Sequence, residues 1–228
     1  MSDPSSPEAT GPTNKLLIAT VLGALLLSQL VGNALGLWHP DGDLVPYIED
    51  HRDSWWAWHM YSGMVFVTTA GAYAGLMWWL VPNRGRLLAV VGGLVTAVGV
   101  ASFGAGLIAE ASTHWYVTST SLSDAQAHEL LTYVDDESGH LVLPILIGLV
   151  LTVVGPIISA GGLWRARTVR RWVLALFLVG SVVGSIFGPA GLLATVAYAA
   201  MCWTVWRGLD VPTTQPAPPL VEVAAPAA

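Results

Sequence analysis

Six histidines, His39, His51, His59, His114, His128 and His140, are the side chains of widest chemical range in this 228-residue sequence. Imidazole titrates near neutral pH and binds metal through either ring nitrogen. Three of the six follow a carboxylate by four positions: Glu110 precedes His114, Asp124 precedes His128 and Asp136 precedes His140. On a helix that spacing puts both side chains on one face. There they share a proton or form two legs of a site for Zn²⁺, Cu or a similar ion. Solvated loop residues, with histidine standing in for Lys and Arg, account for the same spacing, and no metalloenzyme motif surrounds it. His59 and His140 suggest a second chemistry, because each opens an apolar run and two imidazoles from two helices can clamp haem iron. Gly63, one turn beyond His59, would admit the macrocycle, whereas Pro144 stands at the matching place near His140. The plainer role for both rings is a hydrogen bond to a neighbouring loop. The expectation is therefore no cofactor, with Zn, Cu or haem as the alternatives.

Polar residues inside the apolar runs are few. Ser28, Gln29 and Asn33 lie together in the first run beside Gly32 and Gly36. Gln29 and Asn33 share a helix face, and an unpaired amide in hydrocarbon costs several kcal/mol. Hydrogen bonds to other helices are expected of them, with a substrate path as the alternative. Gly180, Gly184 and Gly188 recur every fourth residue and make a smooth face for close packing. No charged residue sits in the middle of a run, which argues against an ion-coupled pump built on buried Asp, Glu or Arg. Phosphate-binding glycine loops and nucleophile elbows are absent, as is a basic face for nucleic acid. The single cysteine, Cys202, excludes an internal disulfide and a thiolate cluster and reads as a small buried hydrophobe.

Lipid must surround the elements that position these residues. Apolar residues make up 54% of the chain and charged residues 11%, against about a quarter charged in soluble domains. Of six continuous apolar runs, those at 16–38, 55–81, 87–109 and 140–163 exceed the roughly 20 residues a spanning helix needs, and those at 172–187 and 190–206 are short. The fold class is an all-α transmembrane helical bundle of six spans. The last two runs meet at Gly188-Pro189, and a single kinked helix there would give five. The first run exceeds the apolar stretch of a signal peptide and reads as a retained helix. Residues 1–14 form a Ser/Pro-rich arm, 15–208 the bundle, and 209–228 a Pro/Ala-rich tail, both ends being disordered. Outer loops fall at about 39–54 and 110–139, and Ser123 with Gln126 resembles a capping box opening a short helix at 124–131.

Charge sets the orientation. Lys15, Arg84, Arg86, Arg165, Arg167, Arg170, Arg171 and Arg207 fall at one set of ends, whereas the other holds Arg52 alone, eleven carboxylates and all six histidines. The positive-inside rule then places both termini in the cytoplasm of a multi-pass plasma-membrane protein.

Tyr47-Ile48-Glu49-Asp50 is echoed by Tyr133-Val134-Asp135-Asp136, and His59 to Arg84 spans the same 25 residues as His140 to Arg165. These correspondences suggest a duplicated helical hairpin. Short Arg-bearing turns, Gly/Ala/Val/Leu-rich runs and Trp-flanked ends, most marked from His140 to Trp206 with its Leu-Trp-Arg-Ala-Arg turn, resemble uncharacterised polytopic membrane proteins of actinobacteria. The resemblance is compositional, covers about half the chain and implies about six helices but no active residue. The sequence thus reads as a non-enzymatic membrane protein acting through its acidic, His-rich outer face as a small transporter, sensor or accessory subunit. Its partners would be the bilayer and another membrane protein or a second copy, with no nucleic acid. A membrane oxidoreductase or metal/haem protein using the outer histidines is the rival.

Overall fold

The computed structural model describes residues 12–37, 44–82, 84–119, 121–137, 139–184 and 190–209, and every element in them is helical. In chain order these are α1 (Pro12–Leu37), α2 (Leu44–Asp50), α3 (Arg52–Thr69), α4 (Gly71–Leu80), α5 (Arg86–Val117), α6 (Asp124–Asp136), α7 (Gly139–Ala166), α8 (Arg171–Gly184) and α9 (Gly191–Leu209). The expected terminal arm and tail otherwise lie outside the described residues.

Five stretches are long and apolar enough to cross a bilayer: Lys15–Leu35, Arg52–Leu80, Arg86–Val117, Val142–Ala166 and Gly191–Leu209. They carry large apolar side chains outward, Leu16, Leu87 and Leu94 each more than half exposed. Such a surface suits lipid and not water. The sixth expected span is present as a shorter helix: the 14 residues of α8 rise about 21 Å against roughly 30 Å of hydrocarbon. Gly180 of α8 meets Ala194 of α9, and Gly184 meets Gly191. The two helices therefore fold back on each other, which excludes one kinked helix over 172–206. The Gly188-Pro189 turn and the third glycine of that repeat lie outside the described residues.

Helices extend further into the expected outer loops than composition alone indicated. α5 runs eight residues past 109, so Glu110 and His114 ride on a membrane helix and not in a loop. Its 32 residues rise about 48 Å, more than the hydrocarbon requires, and the excess carries the histidine-bearing end beyond it. The capping box forms as expected: Ser123 N donates to Gln126 Oε1 (3.0 Å) and Gln126 N to Ser123 Oγ (3.4 Å). Helix α6 then continues to Asp136.

α3 and α4 read as one apolar run interrupted at Ala70, which itself keeps helical angles. Thr68 and Thr69 both turn their hydroxyls back onto the Val65 carbonyl, and Tyr73 N reaches the Ala70 carbonyl at 3.3 Å. Hydroxyl back-bonding of this kind bends a helix without ending it.

The tightest packing is between α5 and α7, and its cause is a seven-residue glycine repeat. Gly85, Gly92, Gly99 and Gly106 line one edge of α5, and Gly148, Gly155 and Gly162 line α7. Running antiparallel, Gly85 meets Gly162, Gly92 meets Gly155 and Gly99 meets Gly148. A methyl built on Gly92 would lie 2.6 Å from the Gly155 carbonyl, and one on Gly148 would lie 2.8 Å from the Gly99 carbonyl. No side chain fits, so the backbones touch. A strict period of seven keeps a seam facing its partner only if the helices supercoil left-handed. Across this seam Ser159 Oγ donates to the Ala89 carbonyl at 3.1 Å. α3 joins the other side of α5 in the same way, Gly63 against Gly104. The two hairpins proposed as duplicates pack differently: α3–α4 lies closely along α5, whereas α8 packs chiefly on α9 and only lightly on α7.

Replacing Gly155 by Ala is expected to lower stability in detergent by about 1–3 kcal/mol, the usual range for overpacking. Gly23 has nothing within 4 Å of an added methyl, so Gly23→Ala should be neutral or stabilising by up to about 1 kcal/mol. Equal thermal shifts for the two variants would remove the seam as the reason for these glycines.

Candidate functional site

Ser28, Gln29 and Asn33 hydrogen-bond to neighbouring helices and line a cavity. Gln29 Nε2 donates to Tyr73 Oη at 2.7 Å, and Ser28 Oγ shares a 3.2 Å hydrogen bond with the same hydroxyl. Asn33 Nδ2 donates to the Gln29 carbonyl at 2.9 Å and to Thr195 Oγ1 of α9. The first helix is thereby tied to α4 and α9 through side chains alone.

Beside these bonds lies a cavity of about 360 Å³, walled by residues of α1, α3, α4, α5, α7, α8 and α9. Its polar lining is Ser28, Gln29, Asn33, Tyr73, Thr96, Thr152, Ser181 and Tyr198, and no charged residue is among the lining side chains. Gly32, Gly180, Gly184 and Gly191 also line it, since helices bare of side chains leave the space open. Apolar closure comes from Leu35, Phe66, Val100, Phe103 and Leu149.

The hydrogen-bond inventory gives this wall a sign. Thr96 Oγ1 donates to the Gly92 carbonyl at 2.9 Å and Thr152 Oγ1 to the Leu149 carbonyl at 2.8 Å. Each hydroxyl has one hydrogen, so its remaining capacity is to accept. Asn33 commits its amide hydrogens to Gln29 and Thr195, leaving its carbonyl oxygen as the acceptor. Pro156, in the interior of α7 and also lining the cavity, has no N–H to give the Thr152 carbonyl four residues back. These groups offer oxygen lone pairs to the space.

The histidines gather differently from the expectation. Tyr47, His51, Trp55 and His59 recur every four residues and form a ladder of rings: Tyr47 stacks on His51 at 4.3 Å and Trp55 on His59 at 4.0 Å. His114 of α5 meets the edge of Trp55 at 6.0 Å. His51, His59 and His114 each direct Nδ1 at the carbonyl four residues back, at 3.0, 3.0 and 2.9 Å. A carbonyl only accepts, so the hydrogen sits on Nδ1 in all three. His114 thus bonds the backbone of Glu110 and not its carboxylate. Arg52 closes this end, lying 3.9 Å over the Trp115 ring and donating through its NH2 group to the Trp115 carbonyl at 2.6 Å.

Among the described residues no three His, Cys, Asp or Glu side chains form a metal-binding group. His128 and Asp136 are exposed on α6, whereas His39 and the side chains of Asp124 and His140 lie outside the described residues. The bare face of Gly63, read as room for a haem macrocycle, is filled by the Gly104 carbonyl and Ile108 of α5. The helices carrying His59 and His140 both pack on α5 and hardly on each other. Cys202 is buried, as expected.

Tyr73, Thr96, Thr152, Ser181 and Thr195 escaped the sequence analysis. Isolated hydroxyls in apolar runs usually bond back to their own helix, and nothing in their spacing shows which helix they face. The only signal was Tyr73, a phenol in mid-run where Phe or Leu would bury more cheaply.

These features define a helical, membrane-embedded protein with an uncharged cavity, apolar with several polar groups, between its helices. No protein-family model, no curated protein and no solved structure matches the chain.

Tyr73→Phe removes the hydroxyl that holds Ser28 and Gln29, and is expected to cost about 1 kcal/mol in detergent unfolding. Tyr198 packs edge-on against Tyr73 and Phe177 but shows no hydroxyl hydrogen bond among the described residues. Tyr198→Phe should therefore stay within about 0.5 kcal/mol of the parent. A larger loss for Tyr198→Phe would contradict this assignment.

Proposed function

We propose that this protein is a small transporter that takes an uncharged, hydrogen-bond-donating solute into the cavity between its helices. The observation that carries this is the cavity itself: about 360 Å³, within the roughly 300–1,000 Å³ of ligand sites. Its amides and hydroxyls bond within the bundle and keep oxygen lone pairs over, and hydrocarbon supplies no water to fill these, so the space suits a polar occupant. The absence of charge from its lining selects against ions, which need paired or coordinating groups when desolvated. The acceptor oxygens of Thr96, Thr152 and Asn33 favour alcohols and amides, whose O–H and N–H groups complement them.

This reading moves the site from the His-rich end, where the sequence had placed it, into the bundle. The aromatic ladder at that end then serves to brace α3 on α5. The Lys/Arg asymmetry supports a cytoplasmic location for the arginine-bearing end and both termini of a plasma-membrane protein. The matching Tyr/acidic and His–Arg spacings favour descent from a duplicated hairpin whose copies have since diverged in packing.

The test is solute flux in proteoliposomes. Vesicles carrying the protein should re-swell in glycerol or urea faster than protein-free vesicles, and no faster in sodium chloride. Asn33→Leu combined with Thr96→Val should return the glycerol rate to that of protein-free vesicles. Identical rates with and without protein would refute transport of this solute class.

A further inference from the structure

Six arginines lie on the α4–α5 and α7–α8 turns, which meet each other. Arg84 and Arg86 flank Gly85, and a methyl on Gly85 would lie 3.3 Å from Arg165 Cβ. The two turns are therefore in contact through the last glycines of the α5–α7 seam, and Arg165, Arg167, Arg170 and Arg171 follow on the second. Arg86 lies 3.5 Å over the Trp78 ring and Arg171 5.8 Å from that of Trp164, which holds both at an aromatic belt. Every carboxylate of the described residues belongs to the opposite end of the bundle. Among the described residues no ion pair relieves this cluster.

Three further observations point to something bound there. Arg86 Nε and Thr168 Oγ1 are both buried without a hydrogen-bond partner. Such groups are few in folded proteins and call for an explanation. Arg167 is the one non-glycine among the described residues with positive φ, at 55°. It closes α7 by donating its N–H to the Leu163 carbonyl at 2.9 Å, a position that glycine fills with less strain. Arginine at this position keeps a charge at the junction that glycine would not supply. Gly85 and Arg86 also open α5, whose N-terminal amides favour negative charge.

We propose that this junction binds the phosphate group of an anion, with Arg84, Arg165 and Arg167 supplying charge and Arg86 Nε and Thr168 Oγ1 donating hydrogen bonds to its oxygens. A lipid headgroup and free inorganic phosphate present the same chemistry. Guanidinium suits it, since its donors match phosphate oxygens in pairs.

The experiment uses the full chain, so that Asp3, Glu8, Asp210 and Glu222 of the terminal stretches are free to compete. Protein in detergent is mixed with phosphatidylglycerol and phosphatidylcholine, and retained lipid is read by native mass spectrometry. Phosphatidylglycerol should be retained in preference, with retention falling about fivefold for each arginine neutralised in Arg84→Gln, Arg165→Gln and Arg167→Gln. Arg207→Gln, at the end of α9, should leave it unchanged. Inorganic phosphate that displaces the lipid supports the site with the free anion as a competent ligand. Phosphate that fails to displace it supports the site with lipid as the source. Arg167→Gly separates binding from folding, because it should raise the melting temperature while lowering retention. Equal retention of the two lipids, or retention unaffected by the triple substitution, would overturn the proposal.

Discussion

Contact between two bare helix edges is the constraint on which this molecule depends. In hydrocarbon, apolar side chains gain little by leaving lipid for protein, so helix association relies on close packing and on polar groups that find one another. Glycines seven residues apart on α5 and on α7 let the backbones meet along the length of both helices. That contact sets α5 as the central post. α3 and α4 pack on one of its sides and α7 on another, each through small residues. The same edges bring Gly85 against Gly162 at one end, which is why two arginine-bearing turns are forced together there.

The cavity is the counterpart of the seam. α7 is held against α5 and α8 is held against α9, so the space between these pairs is filled only where side chains reach across. Phe66 and Phe103 meet edge-on at 5.7 Å on one side of it, and Tyr73, Tyr198 and Phe177 form a chain of edge-on contacts on another. Between them the wall is glycine and small hydroxyls. Asn33 and Gln29 stabilise α1 against that wall by bonding to Thr195 and Tyr73, and the oxygens they leave over define the polarity of the space.

Much of the fold was legible in the sequence because lipid imposes a strong pattern. Run length located the spans to within a few residues, and the Ser123/Gln126 pair located the start of α6. Boundaries went astray where helices outrun the hydrocarbon: α5 carries Glu110 and His114 on helical turns that composition alone presents as loop. The seam was in plain view as a seven-residue glycine period on two runs, but small residues inside apolar stretches look alike until their partner is known. Only the register, Gly92 against Gly155 and not against Gly148 or Gly162, gives the spacing meaning. The site was half visible. Ser28, Gln29 and Asn33 stand out as amides and a hydroxyl in hydrocarbon, whereas Thr96 and Thr152 come from helices more than 60 residues away. Histidines drew attention through their chemistry, yet His51 and His59 belong to a ring ladder whose four-residue spacing with Tyr47 and Trp55 is an aromatic pattern.

The register of α5 on α7 is open to direct measurement by disulfide trapping in membranes. In a Cys202→Ala background, Ala89→Cys with Ser159→Cys places two thiols across the seam where Ser159 Oγ now reaches the Ala89 carbonyl. Ala89→Cys with Thr152→Cys shifts the pair by one heptad. The account predicts rapid cross-linking of the first pair and none of the second; cross-linking of the second pair in preference to the first would contradict it.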